Sequence, residues 1–263
     1  ERLSMHTVET HEMTPAFYEI WRAAGQHLNS QVEGGIRSWL RAHVSPPILE
    51  HLSFRLGNQL FFIHVFDVND DVAGPGSLKG LQRIAESCQG HACLMPMYRD
   101  KRSSLWRPYV KGWGLIHPVT QDSINPISLI TDKLIEMTDW ELQDFAVQVV
   151  KQKIEKDGYE LMSFCTDPEV NPSLWFVGAS GRPEWVVVKS ARYPVKRASR
   201  PSNMREIAAS VGQAGAGHFA SVVVVNSEDP FDPMAAETGN FTPLFRGAQL
   251  IVNFSGLEPA IVS

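Results

Sequence analysis

Cysteine is scarce in this chain of 263 residues, which has only Cys88, Cys93 and Cys165. An odd, low count excludes a disulfide framework and points to a reducing compartment. Long apolar runs are also missing. Segments such as Leu60-Phe-Phe-Ile63 and Val222-Val-Val-Val225 are strand-sized, far short of the roughly 20 residues that span a bilayer. The first ten residues have neither the basic nor the apolar region of a signal peptide, so no membrane association and a cytoplasmic location are expected. There is no positive excess either. Lys and Arg number 24 against 29 Asp and Glu, a net charge of −5, and residues 1–130 are balanced, so the whole imbalance falls after 130. A dedicated nucleic-acid binder usually shows the opposite bias. No glycine-rich loop follows a strand and opens a helix, and no nucleophile elbow is present.

What remains is the composition of an ordinary globular protein, 43% hydrophobic and 20% charged, long enough for two domains. Its clearest feature is a repeat. Leu81-Gln-Arg-Ile-Ala-Glu-Ser87 and Gly90-His91-Ala92 match Met204-Arg-Glu-Ile-Ala-Ala-Ser210 and Gly217-His218-Phe219-Ala220. Lys111-Gly112 before Leu115-Ile116 matches Arg246-Gly247 before Leu250-Ile251. A shared internal period implies a duplicated unit, with a linker between Pro118 and Thr138 and domains at 1–125 and 126–263.

Thr14-Pro15 opens a helix. A second helix is expected from Gln31 to His43, stopped at Ser45-Pro46-Pro47. A hairpin through Gly57-Asn58 follows, then a helix over 77–87 and a strand over 91–98. The second half starts with the capping box Thr138-Asp-Trp-Glu141 and a helix ended by Gly158. Strands follow at 159–165, 174–177 and 184–190, then a helix at 202–211 and a strand at 218–226. The order is αβββαβ, a mixed-sheet α/β arrangement.

Over residues 136–226 that order resembles the restriction-endonuclease-like fold, the PD-(D/E)xK superfamily, and above all its Mrr-like branch. Glu141-Leu-Gln-Asp-Phe-Ala-Val-Gln-Val-Val150 with Gly158-Tyr159 looks like the branch's opening helix and strand. Trp185-Val-Val-Val-Lys189 looks like its third strand. The resemblance implies two tandem restriction-endonuclease-like units, each a mixed sheet flanked by helices, packed as a pseudo-dimer. In active members two carboxylates hold Mg and a lysine two positions beyond the second shares their face of the strand.

Here Lys189 matches the lysine, but Val187 stands at the second acidic position and Ser173 at the first. Glu184 is an odd number of residues from Lys189 and faces away. In the first copy His64 and Phe62 align with Lys189 and Val187. No catalytic residue and no cofactor are therefore expected. The leading reading is a non-catalytic protein-binding adaptor, with a bacterial immunity or defence component as the fold-level analogy. Two alternatives stay open. One is a Mg-dependent nuclease with a rearranged site of Asp167, Glu169 and Lys189. The other is a non-cleaving nucleic-acid binder acting through the basic loop Lys189, Arg192, Lys196, Arg197 and Arg200.

Cys88, His91 and Cys93 have the wrong spacing for zinc. Only the histidine recurs, as His218, so a structural hydrogen bond to a backbone carbonyl is expected of it. Trp106, Tyr109 and Trp113 occupy a loop with Pro108 and suit either a protein-contact surface or, somewhat better, core packing.

Overall fold

The helices start where side chains supply the missing backbone partners. In the computed structural model, which describes residues 13–44, 49–212, 214–229, 231 and 233–261, Thr14 Oγ1 accepts the N–H of Phe17 at 3.1 Å. Pro15 then opens α1 (Pro15–Ser30), whose buried stripe is Phe17, Ile20, Ala24 and Leu28. The helix expected over 31–43 does not form. Gly34 and Gly35 adopt φ of 75° and 79°, a region that interrupts a right-handed helix. Residues Ser38–Val44 instead form strand β1, paired antiparallel with β2 (Leu49–Leu56). Trp39 lies opposite Phe54 with the rings edge-on at 5.8 Å. The stop expected at 45–47 falls outside the described residues.

β2 turns through Gly57-Asn58 into β3 (Gln59–Asp67). Helix α2 (Leu78–Ser87), capped by Ser77, carries the chain across to β4 (His91–Arg99), which runs parallel to β3. Short strands β5 (Trp106–Pro108), β6 (Leu115–Ile116) and β7 (Ser123–Ile124) complete the sheet in the order β1-β2-β3-β4-β6-β7, with β5 on β4. A 3-10 turn at Pro126–Leu129 follows. Asn58 then holds the next segment, its Nδ2 donating to Thr131 Oγ1 at 2.8 Å and its Oδ1 accepting from the Thr131 N–H at 3.1 Å. The chain divides into two compact units after Asp132.

The second unit begins with α3 (Asp139–Lys156). Its capping box is complete: Thr138 Oγ1 accepts from the Glu141 N–H, and Glu141 accepts from the Thr138 N–H. Strands β8 (Glu160–Phe164), β9 (Leu174–Val177) and β10 (Pro183–Arg192) pair antiparallel in succession. Helix α4 (Met204–Ser210) crosses to β11 (Gly217–Asn226), parallel to β10. After α5 (Pro233–Thr238), strands β12 (Leu250–Asn253) and β13 (Glu258–Pro259) both pair with β11. The sheet order is β12-β11-β10-β9-β8. Each unit is thus a mixed sheet with helices, and both put two antiparallel pairings before one parallel pairing.

The register explains why Gly-His recurs. His91 stands opposite Phe61 on β3, and His218 opposite Val186 on β10. A Cβ on Gly90 would meet the Phe62 ring at 2.7 Å, and one on Gly217 would meet the Trp185 ring at 2.1 Å. In each unit a bulky ring of the neighbouring strand rests against the backbone where the parallel strand begins, which excludes any side chain there.

Candidate functional site

Because His91 and His218 take corresponding places, the third residue beyond each partner, His64 on β3 and Lys189 on β10, also corresponds. Two residues earlier, on the same strand face, stand Phe62 and Val187, both fully buried. Ser173 brackets Val187. Its N–H donates to the Val186 carbonyl at 2.8 Å, and its Oγ accepts from the Val188 N–H at 3.2 Å. In the first unit Ser53 lies opposite Phe62. Both serines are buried. Each unit therefore sets a buried serine beside a buried apolar side chain of the neighbouring strand at these places.

Ser53 was not singled out from the sequence. The turn between β2 and β3 is two residues, that between β9 and β10 is five. Counting backwards from the aligned histidines therefore misses it, and only strand pairing brings the two serines into equivalent places.

Lys189 is half-buried, and its Nζ donates to the Pro168 carbonyl at 2.9 Å. Burial pulls its pKa below the usual lysine value, and the charge of Asp167 partly offsets this. Asp167 belongs to a tight turn, with Oδ1 accepting from the Glu169 N–H at 2.9 Å and its carbonyl from the Val170 N–H at 3.1 Å. Glu169 is exposed. Asp167 and Lys189 thus act on one another, while Glu169 contributes its backbone to the turn. Burial pushes the neighbouring Cys165 thiol up to about 11. Glu184 is engaged elsewhere, its Oε2 lying 2.7 Å from His218 Nε2. His64 has a lowered pKa because it is desolvated.

The recurring histidines each meet a side chain, where a backbone carbonyl was expected. His91 Nε2 lies 2.9 Å from Gln59 Oε1, as His218 does from Glu184. Cys88 and Cys93 are both buried, and burial pushes the Cys93 thiol up to about 12. Among the described residues no group of three His, Cys, Asp or Glu side chains could hold a metal.

The basic loop after β10 is largely neutralised within its own unit. Arg192 donates to the Met137 carbonyl at 2.6 Å and to Asp139 at 3.0 Å. Arg197 and Arg200 both pair with Glu258. Arg200 also donates to the carbonyls of Pro259 and Ala260 and stacks over the Phe219 ring at 4.5 Å. Of the five cations expected in the loop, Lys189 and Arg192 lie on β10, and only Lys196 is exposed with no partner among the described residues. The aromatic loop divides similarly. Trp113 is buried and stacks on Phe54 at 6.0 Å, so it belongs to the core and not to a contact surface. Trp106 is partly buried against the same core. Tyr109 is 67% exposed.

Among the described residues no helix is long and apolar enough to cross a membrane. One family matches the sequence, a domain of unknown function (DUF8840), over residues 140–260. No curated protein and no solved structure matches the chain. The family match covers less than half of the chain and lies wholly in the second unit, from the first turn of α3 to the residue after β13.

Proposed function

We propose that the two units are degenerate copies of one restriction-endonuclease-like element, and that the protein works by binding another protein and not by cleaving nucleic acid. The observation that carries this reading is the serine and buried apolar side chain at the two carboxylate positions in both units. A divalent metal needs several hard oxygen ligands, and a buried valine or phenylalanine offers none. Ser173 Oγ is already committed to the backbone of β10. The matching strand orders and the equivalent places of His91 and His218 support common descent of the units. The pairing of Arg192, Arg197 and Arg200 with acidic groups speaks against a phosphate-tracking surface.

One observation favours a second reading. The Asp167 charge acts on Lys189, so a migrated carboxylate stands near the retained lysine, as a rearranged Mg-dependent nuclease would require.

Plasmid and single-stranded DNA incubated with the purified chain and Mg²⁺ or Mn²⁺ separate the two. The binding reading expects no cleavage above that of Lys189→Ala. Cleavage that disappears in both Lys189→Ala and Asp167→Asn would replace it with the nuclease. Nucleic-acid affinity that falls steeply with salt and is lost on charge reversal at Lys196 and Arg197 would replace it with the non-cleaving nucleic-acid binder.

A further inference from the structure

A cleft of about 560 Å³ opens beyond the carboxyl end of β10, beside β11 and α5. Crevices at the carboxyl ends of parallel strands are where open α/β sheets commonly take ligands, and this volume suits a small molecule. Its floor is apolar: Tyr193 and Phe231 meet edge-on at 5.4 Å, with Val223 and Ala236 beside them. Three polar side chains also line it, Lys196, Glu237 and Asn253. Lys196 and Glu237 are both exposed, and neither has an ion-pair or hydrogen-bond partner among the described residues. They face one cleft without pairing with each other. That is unusual in this region, where Arg192, Arg197 and Arg200 are all tied to acidic groups.

We infer that this cleft binds a free α-amino acid with a large apolar or aromatic side chain. A simple anion would satisfy Lys196 and leave Glu237 facing it, and a simple cation would do the reverse. An uncharged apolar ligand would fill the floor and leave both charges partly desolvated and unpaired, which costs affinity. A zwitterion with an apolar side chain matches all three features together. Its carboxylate meets Lys196, its ammonium meets Glu237, and its side chain lies on Tyr193 and Phe231. Charge-assisted hydrogen bonds are about twice as strong as neutral ones. The inference shares no residue with the Ser173–Lys189 region and stands whether the protein proves to be an adaptor or a nuclease.

Isothermal titration of the full chain tests it, with phenylalanine and leucine as probes. The controls are 3-phenylpropanoate, 2-phenylethylamine and glycine, which lack the amine, the carboxylate and the side chain in turn. Phenylalanine or leucine should bind, and each control should bind at least about tenfold more weakly, as expected for one lost charge-assisted bond or one lost apolar contact. Lys196→Met and Glu237→Gln, both at exposed positions, should each weaken the amino acid at least about tenfold. Ala236→Trp should block it by filling the floor. Failure of both amino acids to bind overturns the inference. So does binding of 3-phenylpropanoate as tight as that of phenylalanine, or an unchanged affinity in either charge variant.

Discussion

The two units place a histidine at the start of the strand that follows the crossover helix, but they surround it differently. In the first unit His91 meets the neutral Gln59 and lies against the Phe61 ring at 5.1 Å. In the second His218 meets the carboxylate of Glu184. The interiors differ in the same direction. The first unit packs large aromatic side chains, Phe54, Phe61 and Trp113 among them. The second is built largely of aliphatic strands, Val186, Val188, Val222 and Val224, and adds ionic pairs around that core. The most buried of these is Glu141 with Arg246, whose side chains are 5% and 0% exposed. Lys111, which the sequence repeat matches to Arg246, is exposed. Two mixed sheets therefore reach different balances, ring packing in one unit and buried charge pairing in the other.

Breaking the Glu141–Arg246 pair gives the largest expected difference. Arg246→Met leaves a buried carboxylate without its cation and should destabilise the second unit by about 3–5 kcal/mol. Lys111→Met should change the first by less than about 0.5 kcal/mol, as expected at a surface position. Chemical denaturation followed by probes specific to each unit reads both. Equal effects would mean that the pair is not what distinguishes them.

The histidines come next. His218→Ala should cost about 1.5–3 kcal/mol because the lost bond involves a charged group, and His91→Ala nearer 1 kcal/mol because its partner is neutral. The comparison fails if the order of the two reverses in thermal or denaturant unfolding.

Cysteine reactivity sharpens the contrast without a substitution. The Cys93 and Cys165 thiols are pushed up to about 12 and about 11, and the thiolate is the reactive form. At pH 8 both should resist iodoacetamide until their own unit opens. Mass spectrometry across a denaturant series then shows which unit yields first, and rapid labelling of native Cys165 would contradict the burial seen for it.

The smallest effect is electrostatic. Desolvation is the largest single influence and pushes the Glu258 carboxyl up, but the hydrogen bonds and charges of Arg197 and Arg200 together outweigh it and leave its pKa lowered. A depressed acid adds stability that is present above its unfolded pKa, ordinarily about 4.3 for glutamate, and is lost as pH falls through the folded value. Glu258→Gln should flatten that acid limb and leave the neutral and alkaline limbs parallel to the wild type. A change confined to high pH would assign the stability to another group.

Much of this was legible because it rests on short-range chemistry. Thr14-Pro15 and the Thr138 to Glu141 box start helices with groups three residues apart. The strand cores at 60–63 and 222–225 follow from apolar runs too short for buried helices. The absence of a carboxylate at Val187 needed only the spacing to Lys189. Other features were beyond that reach. Strand β1 depends on a hairpin partner whose pairing outweighs the helical pattern of 31–43. Trp113 lies in a Pro- and Gly-rich loop whose sequence fits either surface or core, and its packing on Phe54, nearly sixty residues earlier, makes it core.

What the sequence determined by itself was the order of helices and strands over residues 138–226 and the Gly-His repeat, because each rests on side-chain identity at fixed local spacing. Only the tertiary structure decided that Ser53 and Ser173 each lie against a buried apolar strand residue, that Glu258 neutralises Arg197 and Arg200 some sixty residues earlier, and that Lys196 and Glu237 line one cleft without pairing with each other. The physical reason is range. Hydrogen-bond caps and strand alternation act over a few residues, whereas strand pairing and charge pairing join groups the chain brings together only on folding.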